Sequence, residues 1–296
     1  MKTEPNETSR AVIVISSHVA RGSVGNRAAV FALETLGFPV WAVPTVVLPW
    51  HPGDGRPPST RFLPEPEQFA AFMKDLEAAP WLGEVGGVLS GYLGDAAQAE
   101  AVASLVAAVR ARNPRAVFVC DPVMGDLEGL YVPEALATML RDKLIPIADM
   151  VTPNRYELEW IVGRKLDDLN ATVAAARALN RPSLLVTSAP SMVAGGIGNL
   201  LVTRSTTLLA EHGVVEQPPH GLGDLTAAVF LARLLGGQTE EKALQTTTAS
   251  VFEILARTAK RGGDELQLET DAQSLSHPLA MVRLRHLTHP GGSIPA

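Results

Sequence analysis

Short apolar runs alternate with amphipathic stretches along most of the chain. Ala11-Val12-Ile13-Val14-Ile15 is continuously apolar and rich in β-branched residues, which predicts a strand buried on both faces. Asn26 to Leu36 is amphipathic and ends at Gly37, predicting a helix with a glycine stop. The same reading predicts strands over Val40–Val43, Gly87–Leu89, Ala116–Cys120, Met150–Val151 and Ser183–Thr187. It predicts helices over Pro66–Glu77, Asp95–Val109, Pro133–Lys143, Asp168–Leu179, Leu225–Leu235 and Thr239–Lys260. Asn154 and Glu157 have the spacing of a capping box, opening a further helix that runs through Ile161. Asn199–Thr203 and Thr206–Ala210 read as adjacent antiparallel strands.

This alternation predicts a mostly parallel central sheet with helices on both faces. Right-handed crossovers then gather the strand C-termini on one rim, where such folds bind ligands. Ser17, Tyr92, Asp121 and Asn154 each follow a predicted strand and fall on that rim. Two segments break the pattern. Pro44 to Pro66 carries seven prolines, Pro44, Pro49, Pro52, Pro57, Pro58, Pro64 and Pro66, so no helix forms there. A long ordered excursion with Trp50 and His51 in it is expected to act as a flap over a site. The tail over 264–296 is mixed and predicts no single element.

Composition narrows the function classes. The chain has 296 residues, 46% hydrophobic and 19% charged, ample for one large α/β domain spanning 1–296. A formal net charge of −6 with no basic block gives no reason to expect a nucleic-acid partner. Cys120 is the only cysteine, so no internal disulfide or cysteine metal cluster forms, as suits a reducing compartment. Met1 to Arg10 is polar and lacks an apolar signal region, and no apolar run has the length of a bilayer span. The expectation is a cytoplasmic protein with no membrane partner.

Familiar nucleotide fingerprints are missing: there is no phosphate-binding loop ending in Gly-Lys-Ser/Thr and no dinucleotide glycine motif after the first strand. The strongest local feature is Gly221-Leu222-Gly223-Asp224, directly before a predicted helix. Two glycines let the backbone approach a ligand, and the helix N-terminus favours an anion. Together they suit a transferring phosphoryl group, with Asp224 as the base that takes a proton from an attacking hydroxyl. Taken alone, the run reads first as a glycine turn with Asp224 capping the helix, since such turns are common. Asp121, in Cys120-Asp121-Pro122-Val123-Met124-Gly125, could hold Mg2+ or simply end a strand. Asn154 and Glu157 could bind the water shell of Mg2+ or form only the capping box. Ser17 could bond a polar ring substituent or cap a loop. Tyr92, in Ser90-Gly91-Tyr92-Leu93-Gly94, could pack on an aromatic substrate or be an ordinary core or surface tyrosine. His51 could reach a ligand from the flap or be merely solvated.

In combination these runs resemble the ribokinase-like superfamily and, within it, the pyridoxal kinases. The resemblance covers Ala11 to about Leu268, with the segments in order: Ser17-His18-Val19 with Gly22, Gly25 and Asn26; Trp41; Thr45-Val46 with His51; and the runs around Tyr92, Asp121, Asn154 and Asp224. It implies a three-layer α/β/α fold and phosphoryl transfer from MgATP to the 5′-hydroxyl of pyridoxal, with pyridoxine and pyridoxamine as further acceptors. Asp224 would be the base, and Gly221, Leu222 and Gly223 would stabilise the phosphoryl group. Ser17, His51 and Tyr92 would contact the vitamer. Asp121, Thr152, Glu157 and Thr187 would line the ATP side, with Asp121 and Glu157 toward Mg2+. A homodimer is implied, with Mg2+ alongside ATP and a monovalent cation as a further candidate cofactor.

Two positions depart from the family. Pro49-Trp50-His51-Pro52 stands where the family usually has Ser-Asn-His-Thr, and Thr187 where it often has lysine. Both bear on what is phosphorylated and how well. The competing readings are a kinase for another hydroxymethyl heterocycle, such as hydroxymethylpyrimidine, and a non-catalytic vitamer-binding relative.

Overall fold

The computed structural model describes residues 11–53 and 55–287. The polar segment read at Met1 to Arg10 and the end of the tail, 288–296, lie outside them. In the first half, β1 (Ala11–Arg21), α1 (Asn26–Thr35), β2 (Val40–Trp50), α2 (Pro66–Ala78), β3 (Val85–Ser90), α3 (Gln98–Arg112) and β4 (Val117–Cys120) alternate as expected. A two-stranded hairpin, β5 (Gly125–Asp126) and β6 (Gly129–Leu130), then leads into α4 (Glu134–Met139) and β7 (Met150–Val151). The second half holds α5 (Arg155–Val162), α6 (Leu169–Ala178), β8 (Ser183–Pro190), β9 (Gly196–Thr203), β10 (Thr207–Gly213), α7 (Leu222–Leu235) and α8 (Glu240–Lys260). The tail adds α9 (Gln273–Ser276) and β11 (Arg283–His286), the latter pairing antiparallel with β10.

Among the described residues the main sheet runs β11-β10-β9-β8-β7-β4-β3-β1-β2. The pairs from β2 to β8 are parallel, and β9, β10 and β11 add an antiparallel edge. Strand alternation divides the core. Ile13 and Ile15 face a layer containing α2 to α6, while Val12 and Val14 face α1, α7 and α8. Both faces are covered, which is why the apolar runs are continuous rather than alternating. Strand order reverses at β1, with β2 on one side and β3 on the other, so the crevice outside the ends of β1 and β3 is where a ligand site belongs.

Two expectations need correction. The flap expected over 44–66 is shorter, because Pro44 to Trp50 belong to β2, paired with β1 as far as Arg21↔Trp50. The strand tolerates Pro44 and Pro49 because β2 is the sheet edge, where a missing N–H costs little. The remaining loop returns along the same edge through an isolated bridge between Phe62 and Val47. Ser17 does not follow the first strand but lies within β1, at a register shift between Ser16 and His18. A bulge there re-aims side chains, which frees a serine at the sheet rim without ending the strand.

Candidate active site

The ends of β1, β3 and β4 and the N-terminus of α7 converge on one cleft. Backbone bonds tie the rim together: the Gly91 N–H donates to the Ile15 carbonyl at 2.8 Å, and the Asp121 N–H to the Ser90 carbonyl at 2.8 Å. Ser16 Oγ accepts from the Tyr92 N–H at 3.1 Å, and the Tyr92 carbonyl accepts from Thr45 Oγ1 at 2.7 Å. Ser17, Tyr92 and Asp121 are therefore held on neighbouring strand ends.

The helix start differs from the expectation, and Asp224 is not the capping residue. Helix α7 begins at Leu222, and its N-cap is Gly221, at φ 95°. Asp224 is the third helical residue, so it does not cap the helix. Gly221 is required twice over: its φ suits glycine, and a Cβ there would stand 2.0 Å from the Ser23 carbonyl oxygen. No side chain caps the 14-residue helix at Gly221, and within its first turn the Asp224 N–H bonds its own carboxylate. Gly25, the N-cap of α1, closes the other side; a Cβ on it would stand 2.3 Å from the Ser17 carbonyl oxygen. Its N–H bonds the Asp224 carboxylate.

Three carboxyl groups meet in this cleft. Burial pushes the Asp224 pKa up to about 6, against bonds from the N–H groups of Gly25 and of Asp224 itself. Burial and then the Asp224 charge raise Asp121, opposed by a 2.8 Å bond from Thr152 Oγ1. Burial and then Asp121 raise Glu157 well above the ordinary carboxyl value. Glu157 is tied on both oxygens, accepting from the Met124 N–H at 3.0 Å and the Asn154 N–H at 2.8 Å. The second bond is half of the capping box of α5, completed by the Glu157 N–H donating to Asn154 Oδ1 at 2.9 Å. Asn154 Nδ2 also holds the Gly125 carbonyl at 2.8 Å, fixing the β5–β6 hairpin.

Such a trio is short of positive charge. Oxygen donors on strand ends suit a hard divalent cation that keeps most of its water. Among the described residues no cluster of three or more His, Cys, Asp or Glu side chains forms a complete metal site. The arrangement fits an ion that arrives on a phosphate substrate, with Asp121 nearer to hand than the fully bonded Glu157.

Thr187 stands at the far side of the cleft, its N–H donating to the Pro153 carbonyl at 2.9 Å beside Asn154. The next residue, Ser188, takes φ 53° where β8 and β9 slip register. A non-glycine residue in this region carries backbone strain. His51, directly after β2, stacks on His220, with ring centroids 3.9 Å apart and planes at 22°. Sequence reasoning missed His220, Ser188 and Tyr131. Tyr131 is 52% exposed, and its phenol pKa is raised by burial first and then by the charges of Glu157, Asp121, Asp224 and Asp126. None of the three carries a local motif, although His220 directly precedes the glycine run. Cys120, by contrast, is buried in the core with its thiol pKa raised by that burial.

With this geometry in view, the comparisons with known proteins are direct. The profile of the family described as Phosphomethylpyrimidine kinase matches residues 68–268. Pyridoxal kinase PdxY of Rubrobacter xylanophilus is 39% identical over 285 residues, covering 93% of this chain and 97% of that protein. The chain belongs to the pyridoxal kinase family. The family shares the ribokinase-like fold seen here. The structure of the Leishmania donovani pyridoxal kinase in complex with ADP and pyridoxine superposes with a TM-score of 0.87 at 28% identity, over 95% of this chain and 100% of that one. Its complex with ADP and pyridoxamine gives a TM-score of 0.86 at 29% identity, over 94% and 100%.

Proposed function

We propose that this chain transfers the γ-phosphoryl group of ATP to the 5′-hydroxyl of pyridoxal, with pyridoxine and pyridoxamine as further acceptors, in vitamin B6 salvage. The observation that carries the reading is Asp224. It sits in the first turn of a helix whose capping residue is glycine, with its pKa moved to about 6. A carboxylate there would repel a resting phosphate; it serves a reaction in which a hydroxyl must lose its proton as it attacks.

In this mechanism Asp224 accepts the 5′-hydroxyl proton while the new oxygen–phosphorus bond forms and the bond to ADP breaks. The N–H groups at the start of α7, around Gly221, Leu222 and Gly223, stabilise the charge on the phosphoryl oxygens in flight. Ser17 and Tyr92 orient the pyridine ring, and His51 approaches from the loop after β2. Asp121, Thr152, Glu157 and Thr187 face the nucleotide. Mg2+ bound to ATP would neutralise phosphate charge, with Asp121 holding it through water and Glu157 supporting it by charge. Supporting the cytoplasmic assignment is the lone, buried cysteine. No described helix is long and apolar enough to cross a membrane. The homodimer rests on the family resemblance.

The test is to incubate the protein with MgATP and each vitamer, following ADP and the phosphorylated product. Asp224→Asn should lower turnover by at least about 100-fold while ATP still binds. Near wild-type rates in that variant would remove Asp224 from the base role. A second reading, a hydroxymethylpyrimidine kinase, is favoured by the family profile over 68–268. A higher kcat/KM for that alcohol than for pyridoxal would establish it instead.

A further inference from the structure

The loop after β2 is pinned to the body of the protein through Arg56 and His51. Arg56 Nη1 pairs with Glu265 Oε1 at 2.8 Å, and Arg56 Nη2 donates to the Asp264 carbonyl at 3.2 Å. Arg56 Nη1 also donates to the His51 carbonyl at 3.3 Å, so the backbone of His51 is tethered through Arg56. The His51 ring is fixed separately, by its stack on His220. His220 lies one residue before Gly221, the N-cap of the phosphoryl-transfer helix α7. Gly221 is itself packed against the Ser23 carbonyl. The imidazole of the loop thus rests on a platform whose position is set by the turn that receives the phosphoryl group.

We propose that His220 is a positioning and specificity residue: its ring holds His51 over the acceptor pocket by stacking, so that acceptor binding depends on a side chain that need not touch the acceptor. The proposal rests on the reading of His51 as an acceptor contact. It also bears on the departure at Pro49-Trp50-His51-Pro52. With proline at 52 the loop has no hydroxyl there to orient a ligand, and positioning falls to the histidine that precedes it. The stack favours the His51 rotamer whose ring lies flat against His220.

The test uses the full chain with His220→Ala, His220→Phe and His51→Ala, singly and as the double variant with both alanines. Aromatic stacking contributes modestly, so His220→Ala is expected to raise KM for pyridoxal by about threefold to tenfold. KM for ATP should stay within about twofold, because the lost contact lies on the acceptor side. His220→Phe, which keeps a flat ring, should restore most of the pyridoxal KM. In the double variant the effects should not multiply, since the His220 contribution acts through His51. A rise in KM for ATP instead of pyridoxal overturns the proposal. So does failure of a normally folded Phe variant to restore KM, or multiplicative effects in the double variant. Pyridoxal binding without ATP, followed by the vitamer's absorbance, separates this proposal from the base assignment. A wild-type protein that binds pyridoxal but does not phosphorylate it defeats the kinase reading alone, and the His220 variants are then judged on dissociation constants. A wild-type protein that does not bind pyridoxal overturns both.

Discussion

The N–H of Gly25 bonds the carboxylate of Asp224, so the first turn of α1 orients the side chain that α7 presents to the cleft. Two helices distant in sequence therefore share one hydrogen bond in the cleft. The bond also opposes the burial that raises the Asp224 pKa.

Gly25→Ala tests this link. The new Cβ would stand 2.3 Å from the Ser17 carbonyl and 2.4 Å from Ser17 Oγ, and φ 55° with ψ −132° is a glycine conformation. The turn must shift, at a cost of about 1–3 kcal/mol in stability. Because the shift moves both the Asp224 donor and Ser17, kcat should fall with the melting temperature. A variant that melts lower but turns over normally would detach Gly25 from the chemistry.

Asp224 sets an acid limb. Its pKa is raised to about 6, so below that pH the carboxyl keeps its proton and cannot accept another. For the free enzyme, kcat/KM for pyridoxal should be flat above this value and fall by about tenfold per pH unit well below it. A limb near the ordinary aspartate value would show that burial does not hold the group.

The same shift is a stability statement with the opposite benefit. A carboxyl whose folded-state pKa is raised binds its proton more tightly when folded. Its favourable contribution is complete below the unfolded pKa and is lost as pH rises through about 6. At neutral pH the ionised group costs the fold about 1–3 kcal/mol, moderated by the partly open cleft. Asp224→Asn should therefore melt several degrees higher than wild type above pH 7 and show little difference near pH 4. Equal melting curves at both pH values would count against buried charge as the cause. An activity-killing substitution that stabilises is the expected mark of a functional group rather than a cap.

Glu265 anchors the loop after β2. Its side chain is 12% exposed and pairs with Arg56, itself 14% exposed, and with Arg21 at 3.3 Å. Glu265→Ala removes the carboxylate that Arg56 and Arg21 share. Trypsin should then cut after Arg61 several times faster than in wild type, with global melting changed less than cleavage. Unchanged cleavage would mean the Phe62–Val47 bridge and the His51–His220 stack hold the loop without it.

The parts of this protein readable from its amino acids are those with local causes. Ala11 to Ile15 is apolar at every position because β1 is covered on both faces, and that continuity announces a buried strand without any tertiary information. The Asn154–Glu157 capping box is likewise a spacing, and it is present in α5 with both bonds. Where polarity rises, the pattern gives out: Ser16 to Arg21 continue β1, and Pro44 to Trp50 continue β2, because strand pairing overrides residue preference at a sheet edge.

The chemistry divides in the same way. Residue order alone supplied Gly221-Leu222-Gly223-Asp224, and with it a helix start fit for a phosphoryl group. Whether Asp224 capped that helix or worked inside it depended on where the helix began, and the contact of Gly221 with Ser23 put the cap one turn earlier than the polarity pattern suggested. The pKa shifts of Asp121, Glu157 and Asp224 have no counterpart in local sequence. They arise because strand and helix ends carry all three groups away from water, with the Asp224 charge adding to the shift of Asp121 and the Asp121 charge to that of Glu157. The stack of His51 on His220 is of the same kind, a contact between residues far apart in the chain that only the packing of the loop against α7 creates.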